Sequence, residues 1–267
     1  MSSTLISLSH AGGQGKTTVA QLLYIWANAN KAEGQYKLAS ADFKDDTGRS
    51  KIGKLYPNKV EEFGTGAELS AVRTENDANA SIRYWDKFGN IFLVGGYVVD
   101  IGANVIKSIF EWAGDRRLAT ILARRNAPKI EVFCVCKAEK HAADDVHRLM
   151  RLFAQGHALR PQSIHVVMNE AAGPFGGMKL QEGLHDAFPD MRLNFIKLPK
   201  CQSEIWAPME RFGVSIERAL EMSEDEVSEI LDVDTWTASA GLAELRSWFD
   251  ASSQSFKEAG AFGKSKA

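Results

Sequence analysis

The sequence predicts an α/β fold: a doubly wound, mostly parallel sheet with helices on both faces and a helical C-terminal segment. Three observations predict it. Short apolar runs alternate with helical stretches, the pattern of successive βαβ units. The first run, Leu5-Ile6-Ser7-Leu8, leads directly into Ser9-His10-Ala11-Gly12-Gly13-Gln14-Gly15-Lys16-Thr17-Thr18, which reads as strand, glycine-rich turn and helix start. Later apolar runs end in polar residues, as strands do when their carboxyl ends face a ligand crevice.

Taken in order, the predicted strands are Leu5–Ser9, Lys37–Ala41, Gly96–Asp100, Ile130–Cys136, Ser163–Met168 and Arg192–Leu198. Helices are predicted over Thr18–Ala29, Asn104–Trp112, Leu118–Arg125, Asp144–Ala154, Glu204–Phe212 and Leu242–Ser252. The aromatic residues Tyr24, Trp26, Phe110 and Trp112, with Ile109, read as packing rather than as a ligand box. Residues 43 to 90 carry little strand signal and are rich in Asp, Lys, Gly and Asn, so loops and short helices are expected there. The tail from Gly260 reads as frayed.

A length of 267 residues is compatible with one large domain, read here as a core over 1–220 followed by a helical segment and tail over 221–267. The 32 basic and 34 acidic side chains nearly cancel, so any affinity for nucleic acid must come from a local patch. Cys134 and Cys136 alternate within the apolar run Val132-Phe133-Cys134-Val135-Cys136 and are expected on one face of a buried strand. With Cys201 as the third cysteine, this usage suits a reducing cytoplasm and gives no metal-site spacing. No run approaches 18 apolar residues and no export signal is visible, so a cytoplasmic chain away from the membrane is expected.

The glycine-rich turn carries the chemistry. A polyphosphate needs backbone N–H groups pointing inward, a cation for its outer charges and a hydroxyl for its magnesium ion. Gly12, Gly13, Gln14 and Gly15 would supply the N–H groups, Lys16 the cation and Thr17 the hydroxyl, with Thr18 toward the α-phosphate. The helix that follows adds its unpaired N–H groups and the positive end of its dipole. One position departs from the common P-loop pattern: His10 stands where glycine is usual, six places before the lysine.

Two acids stand at predicted strand ends. Asp100, closing Val98-Val99-Asp100, is placed to support magnesium through the metal shell, or else to cap a helix starting near Asn104. Asp42 ends Leu38-Ala39-Ser40-Ala41 and opens the polar run Phe43-Lys44-Asp45-Asp46-Thr47. It is placed to orient an attacking water or support the metal, or else to form a turn.

With those residues in hand, the chain resembles the ParA/MinD group of P-loop ATPases with deviant Walker A motifs, and most of all its conjugation-associated, TraL- and StbB-like branch. The family loop Lys-Gly-Gly-x-Gly-Lys-Thr-Thr compares with Ala11-Gly12-Gly13-Gln14-Gly15-Lys16-Thr17-Thr18, seven of eight positions being satisfied. The resemblance implies that Asp42 is the switch I aspartate, that Asp100 is the magnesium aspartate, and that Asn169 and Pro199 frame an adenine base. It implies ATP and Mg²⁺ as ligands, an ATP-dependent homodimer, nonspecific DNA as a binding partner and a partner or adaptor protein that stimulates hydrolysis. The process implied is plasmid or DNA partition, conjugative transfer or cargo positioning.

Family members carry a signature lysine where this chain has Ala11, so slow or partner-dependent hydrolysis is expected. His10, Lys44, Arg49 and Lys51 are the candidate substitutes. The candidate DNA surface comprises Arg116, Arg117, Arg124, Arg125, Arg148, Arg151 and Arg160. Phe249, Phe256, Lys257 and Phe262 are too sparse for a membrane anchor. Two other classes stay open, a non-hydrolysing ATP-bound scaffold and a P-loop small-molecule kinase or synthetase.

Overall fold

The computed structural model describes residues 2–29, 35–42, 48–63, 80–139, 141–156, 158–176 and 179–261. Lys44 with the rest of 43–47, and Phe262, lie outside them. In chain order the elements are β1 (Thr4–Leu8), α1 (Lys16–Ala29), β2 (Lys37–Ala41), α2 (Lys51–Leu55), β3 (Val60–Glu62), α3 (Ala80–Val94), β4 (Tyr97–Ile101), α4 (Ile106–Asp115) and α5 (Leu118–Arg124). They continue with β5 (Ile130–Lys137), α6 (Ala142–Ala154), β6 (Ser163–Asn169), a 3-10 turn over Glu170–Ala172, α7 (Leu180–Ala187) and β7 (Leu193–Leu198). Four helices close the described chain: α8 (Trp206–Arg211), α9 (Ile216–Glu221), α10 (Glu224–Leu231) and α11 (Thr235–Glu258).

Among the described residues, seven parallel strands form one sheet in the order β3-β2-β4-β1-β5-β6-β7. β1 lies between β4 and β5, in a register that sets Ser7 opposite both Asp100 and Phe133. The chain leaves β1 toward β2 and later crosses back to β5. The change of winding direction therefore flanks β1, where open α/β sheets form their ligand crevice.

Every residue of β1 is buried, because both faces of the sheet are covered. Alternation along the strands feeds two apolar layers. Ile6, Leu8, Val99, Cys134 and Cys136 join Trp85, Phe88 and Phe92 of α3, Ile109 and Phe110 of α4 and Met150 of α6 on one face. Leu5, Leu38, Val98, Phe133 and Val135 join Leu22, Leu23 and Trp26 of α1 and Leu242, Leu245 and Phe256 of α11 on the other. The predicted doubly wound α/β sheet is therefore observed, and Cys134 and Cys136 share one buried face. Burial pushes the Cys136 thiol up to about 12, which suppresses thiolate chemistry.

Differences from the predicted elements have physical causes. The polar stretch 43–90 contains the edge strand β3 and the start of the 15-residue helix α3, which runs on to Val94. The apolar stripe Trp85, Phe88 and Phe92 is interleaved with Arg83, Asp86, Lys87 and Asn90, so average composition hides it. Helix α11 runs for 24 residues rather than over Leu242–Ser252, its start capped by Asp234, which accepts from the backbone N–H groups of Trp236 and Thr237. Helices α7 and α9 fall outside the predicted helices, and α10 lies within the expected helical segment 221–267; Ser215 and Ser223 cap α9 and α10.

The C-terminal helices join the α1 layer. Trp26 of α1 meets Phe256 of α11 at a ring-centroid distance of 4.8 Å. Gln21, fully buried on α1, accepts from the Ile216 backbone N–H at 2.9 Å, which fixes the start of α9.

Candidate functional site

The turn between β1 and α1 is held from within. The Ser7 hydroxyl donates to the Lys16 carbonyl at 2.6 Å, and the Ser9 hydroxyl donates to the Ala11 carbonyl at 2.7 Å. Gly15 has φ +98, a region that side chains resist, and the Gly15 carbonyl already accepts the Val19 N–H at 3.0 Å as α1 begins. The helix thus starts at Lys16, two residues earlier than predicted, which places Lys16, Thr17 and Thr18 in its first turn. Gly12 and Gly13 are exposed, and Thr18 is half-buried.

Two acids converge on this turn. Asp100 is the penultimate residue of β4, 1 % exposed, and its Oδ2 accepts the Thr17 hydroxyl at 2.8 Å. Burial raises the Asp100 carboxyl to about 6, against the opposing pull of the Lys16 ammonium and the Thr17 hydrogen bond. The helix-cap alternative for Asp100 is overturned: α4 begins after Val105, with no side-chain cap. Asp42, immediately after β2, lies with Oδ2 at 3.1 Å from Lys16 Nζ, both side chains being largely buried. Asp42 is seated against Gly102, whose N–H donates to the Ala41 carbonyl at 2.9 Å. A Cβ at Gly102 would fall 2.0 Å from Asp42 Oδ1, so this close approach requires glycine.

On the opposite side, the ends of β5 and β6 hold Gln14. The Lys137 N–H donates to Gln14 Oε1 at 2.6 Å, and Gln14 Nε2 donates to Glu139 Oε2 at 3.3 Å. Asn169 Nδ2 donates to the Gln14 carbonyl at 2.9 Å, while Asn169 Oδ1 accepts the Ala171 N–H at 3.1 Å. Lys137 and Glu139 escaped the sequence reading because their contacts span more than 120 positions. Gly102 carried the better signal, two residues after a strand-end acid.

The structure thus brings Gly12 to Thr18, Asp42, Asp100 and Asn169 to one end of the sheet. Pro199 follows β7 at the same end, since Leu198 lies opposite Asn169, but its carbonyl accepts the Trp248 indole N–H at 2.7 Å, tying it to α11. No described contact links Pro199 to the turn. Of the candidate cations, His10 pairs with Asp145 of α6 at 3.3 Å and Lys51 pairs with Glu210 of α8 at 3.1 Å. Arg49 is exposed.

Two arginines of the candidate set are engaged within the chain. Arg116 Nε donates to Asp86 Oδ1 at 2.8 Å, and the Arg116 hydrogen bond holds the Asp86 carboxyl below its ordinary range. Arg160 Nε donates to the Gly156 carbonyl at 2.6 Å. Arg117, Arg124, Arg125, Arg148 and Arg151 are exposed. Among the described residues, no helix is long and apolar enough to cross a membrane, and no group of three or more His, Cys, Asp or Glu could hold a metal ion.

No protein-family model and no curated protein matches the chain. Solved structures similar to it include an ATP complex of a McdA variant from Cyanothece, at 14% identity and TM-score 0.45, covering 87% of this chain and 97% of that one. A putative plasmid partition protein from Borrelia burgdorferi B31 bound to AMPPNP is 13% identical with TM-score 0.45, covering 75% and 88%. The MinC:MinD cell division complex of Aquifex aeolicus gives 15% identity and TM-score 0.43, covering 91% and 96%. Likeness at this level assigns neither a family nor an activity.

Proposed function

We propose that this chain binds ATP with magnesium on the turn of residues 10–18 and acts as a nucleotide-dependent dimer switch, with slow or partner-dependent hydrolysis. One observation carries the nucleotide reading: a glycine-rich strand-to-helix turn whose lysine and hydroxyl both meet strand-end acids, Lys16 with Asp42 and Thr17 with Asp100. Turns that only reverse the chain have no need of a buried acid facing each of those two groups.

The donor set fits magnesium. Thr17 and Asp100 offer hard oxygens, and Asp100 Oδ1 is buried without a hydrogen-bond partner among the described residues, one acceptor left for a cation or its water. Bound there with the phosphates, magnesium would neutralise charge that builds on them during transfer. Lys16 would hold the β- and γ-phosphates, backbone N–H groups of Gly12 to Gly15 would line them, and Thr18 would lie toward the α-phosphate.

Triphosphate oxygens compete with Asp42 for the Lys16 ammonium. Asp42, once displaced, is the acid best placed to orient water or the metal shell. Hydrolysis forms a bond from the water oxygen to the γ-phosphorus and breaks the bond to the β–γ bridging oxygen, giving ADP and phosphate. At Ala11 a methyl group replaces the ammonium that the family resemblance would bring to the partner's phosphates, so a cation must come from elsewhere.

The process, plasmid or DNA partition, conjugative transfer or cargo positioning in the cytoplasm, is carried by the sequence resemblance, and so is the binding of DNA or of an adaptor protein. Asn169 and Pro199 as base-framing residues have the same support. Ala11 also favours a second reading, an ATP-bound scaffold that does not turn over. Sizing the protein in ATP and in ADP, with and without DNA, tests both. ATP-dependent dimers with DNA- or partner-stimulated turnover support the switch, dimers without turnover support the scaffold, and monomers throughout defeat both. A small-molecule kinase would instead transfer phosphate to a metabolite.

A further inference from the structure

We infer that Asn169 is a positioning residue for the phosphate-binding turn, acting through the Gln14 carbonyl on any triphosphate whatever its base. This rests on the proposed nucleotide reading and replaces the base-framing role that the resemblance implies for Asn169.

Asn169 is 6 % exposed, and both ends of its carboxamide are engaged by the chain. Its orientation follows from its neighbours, because the Gln14 carbonyl needs a donor and the Ala171 N–H needs an acceptor. Asn169 Nδ2 lies 2.4 Å from where a Cβ on Gly15 would stand, so the amide group packs on the bare face of Gly15. Lys137 and Asn169 are register partners at the ends of β5 and β6, and both bond to Gln14, one to its side chain and one to its backbone. Two adjacent strand ends thus clamp one residue of the turn. The Gln14 carbonyl cannot then rotate inward, where it would face phosphate oxygen with like partial charge. These two bonds use one Nδ2 hydrogen and one Oδ1 lone pair, so the clamp stands whether or not the rest of the amide meets a base.

Three variants separate the roles. Asn169→Ala removes both bonds. Asn169→Ser keeps an acceptor for the Ala171 N–H but is too short to reach Gln14. Asn169→Asp is isosteric, and sets a carboxylate against the Gln14 carbonyl until it is protonated. Binding of Mg–ATP, Mg–GTP and inorganic tripolyphosphate is measured for each by calorimetry. All three ligands should weaken by the same factor, about tenfold for Asn169→Ala and Asn169→Ser, the order of one lost buried hydrogen bond. Asn169→Asp should lose more at pH 8, and its deficit relative to wild type should narrow as pH falls toward 5.5, where the buried acid regains a donor proton. A structural defect alone would not produce that pH profile.

Loss confined to ATP, with tripolyphosphate unaffected, would make Asn169 a base reader and overturn the inference. Backbone hydrogen exchange over residues 9–19 provides a readout without ligand. Faster exchange there in Asn169→Ser, with β1 and β5 unchanged, supports the clamp, and unchanged exchange overturns it. Wild-type protein that binds none of the three ligands would instead refute the nucleotide reading, while the exchange result still decides whether Asn169 holds the turn.

Discussion

The Thr17 hydroxyl donates to Asp100 across a buried 2.8 Å contact that joins the first turn of α1 to the neighbouring strand β4. Register makes it possible, since β1 and β4 run parallel with Ser7 opposite Asp100. The hydroxyl that would ligate magnesium is therefore already oriented by the acid that would support the same ion. Thr17→Ala removes this donor and leaves a buried carboxyl with no hydrogen-bond partner among the described residues. We expect a stability loss of about 1–3 kcal/mol and loss of the magnesium-dependent part of ATP affinity, with Thr17→Ser close to wild type. Denaturation and calorimetry with and without magnesium check both, and equal affinity in the two conditions for wild type would remove the metal role.

Gly102 and Asp42 make the second prediction. In Gly102→Ala the new methyl lands on the Asp42 carboxylate, and that acid must shift away from Lys16. Overpacking of this kind costs about 1–3 kcal/mol. ATP binding should survive, because Lys16 and the turn are retained, while turnover falls about tenfold or more. Turnover equal to wild type in a folded Gly102→Ala protein would show that Asp42 has no part in hydrolysis.

These two acids mark how far the sequence was legible. The turn, Asp42 and Asp100 were readable because strand–turn–helix junctions and strand-end acids are local patterns. Six of the seven strands were readable for the same reason, as apolar runs of the right length. Helix α3 was missed because charged residues dilute its buried stripe, and α11 was cut short because Ala, Ser and Gly fill much of its first half. The Gln14 clamp and the Asp86–Arg116 pair depend on tertiary proximity, which no local pattern encodes.

Lys16→Ala tests the ammonium itself. It removes the ammonium that pairs with Asp42 and should abolish detectable ATP binding. The fold should persist, since Lys16 belongs to neither apolar layer. Calorimetry and circular dichroism read the two effects separately. Retained micromolar affinity would exclude the turn as the phosphate site.

Ala11→Lys restores the cation implied by the family resemblance. Ala11 is half-buried beside exposed Gly12 and Gly13, so the longer side chain has a route to solvent. A cation delivered to developing phosphate charge is worth about 10³ in rate in arginine-finger systems. We expect faster turnover that rises with protein concentration, as a contribution across a dimer demands. An unchanged rate at all concentrations would locate the missing cation elsewhere on the chain or on another protein.

Asp100 also sets a pH dependence whose sign follows from its burial. Its carboxyl sits at about 6 in the fold, above the ordinary aspartate value, so the folded state holds its proton more tightly than the unfolded chain. The stability that this group adds is complete below about pH 4 and is lost as pH rises through 6. The loss is on the order of 2–3 kcal/mol by pH 8. Asp100→Asn is neutral at every pH and still accepts the Thr17 hydroxyl, so it should be more stable than wild type at pH 8 and nearly equal at pH 4. Urea denaturation of both proteins across that range, in chelator, measures the difference. A magnesium-supporting role adds the opposite trend, because a cation favours the ionised acid, so adding magnesium to ATP should stabilise wild type at pH 8 more than it stabilises Asp100→Asn. Parallel stability curves for the two proteins would mean that Asp100 ionises in the fold as readily as in the unfolded chain, with no penalty from burial.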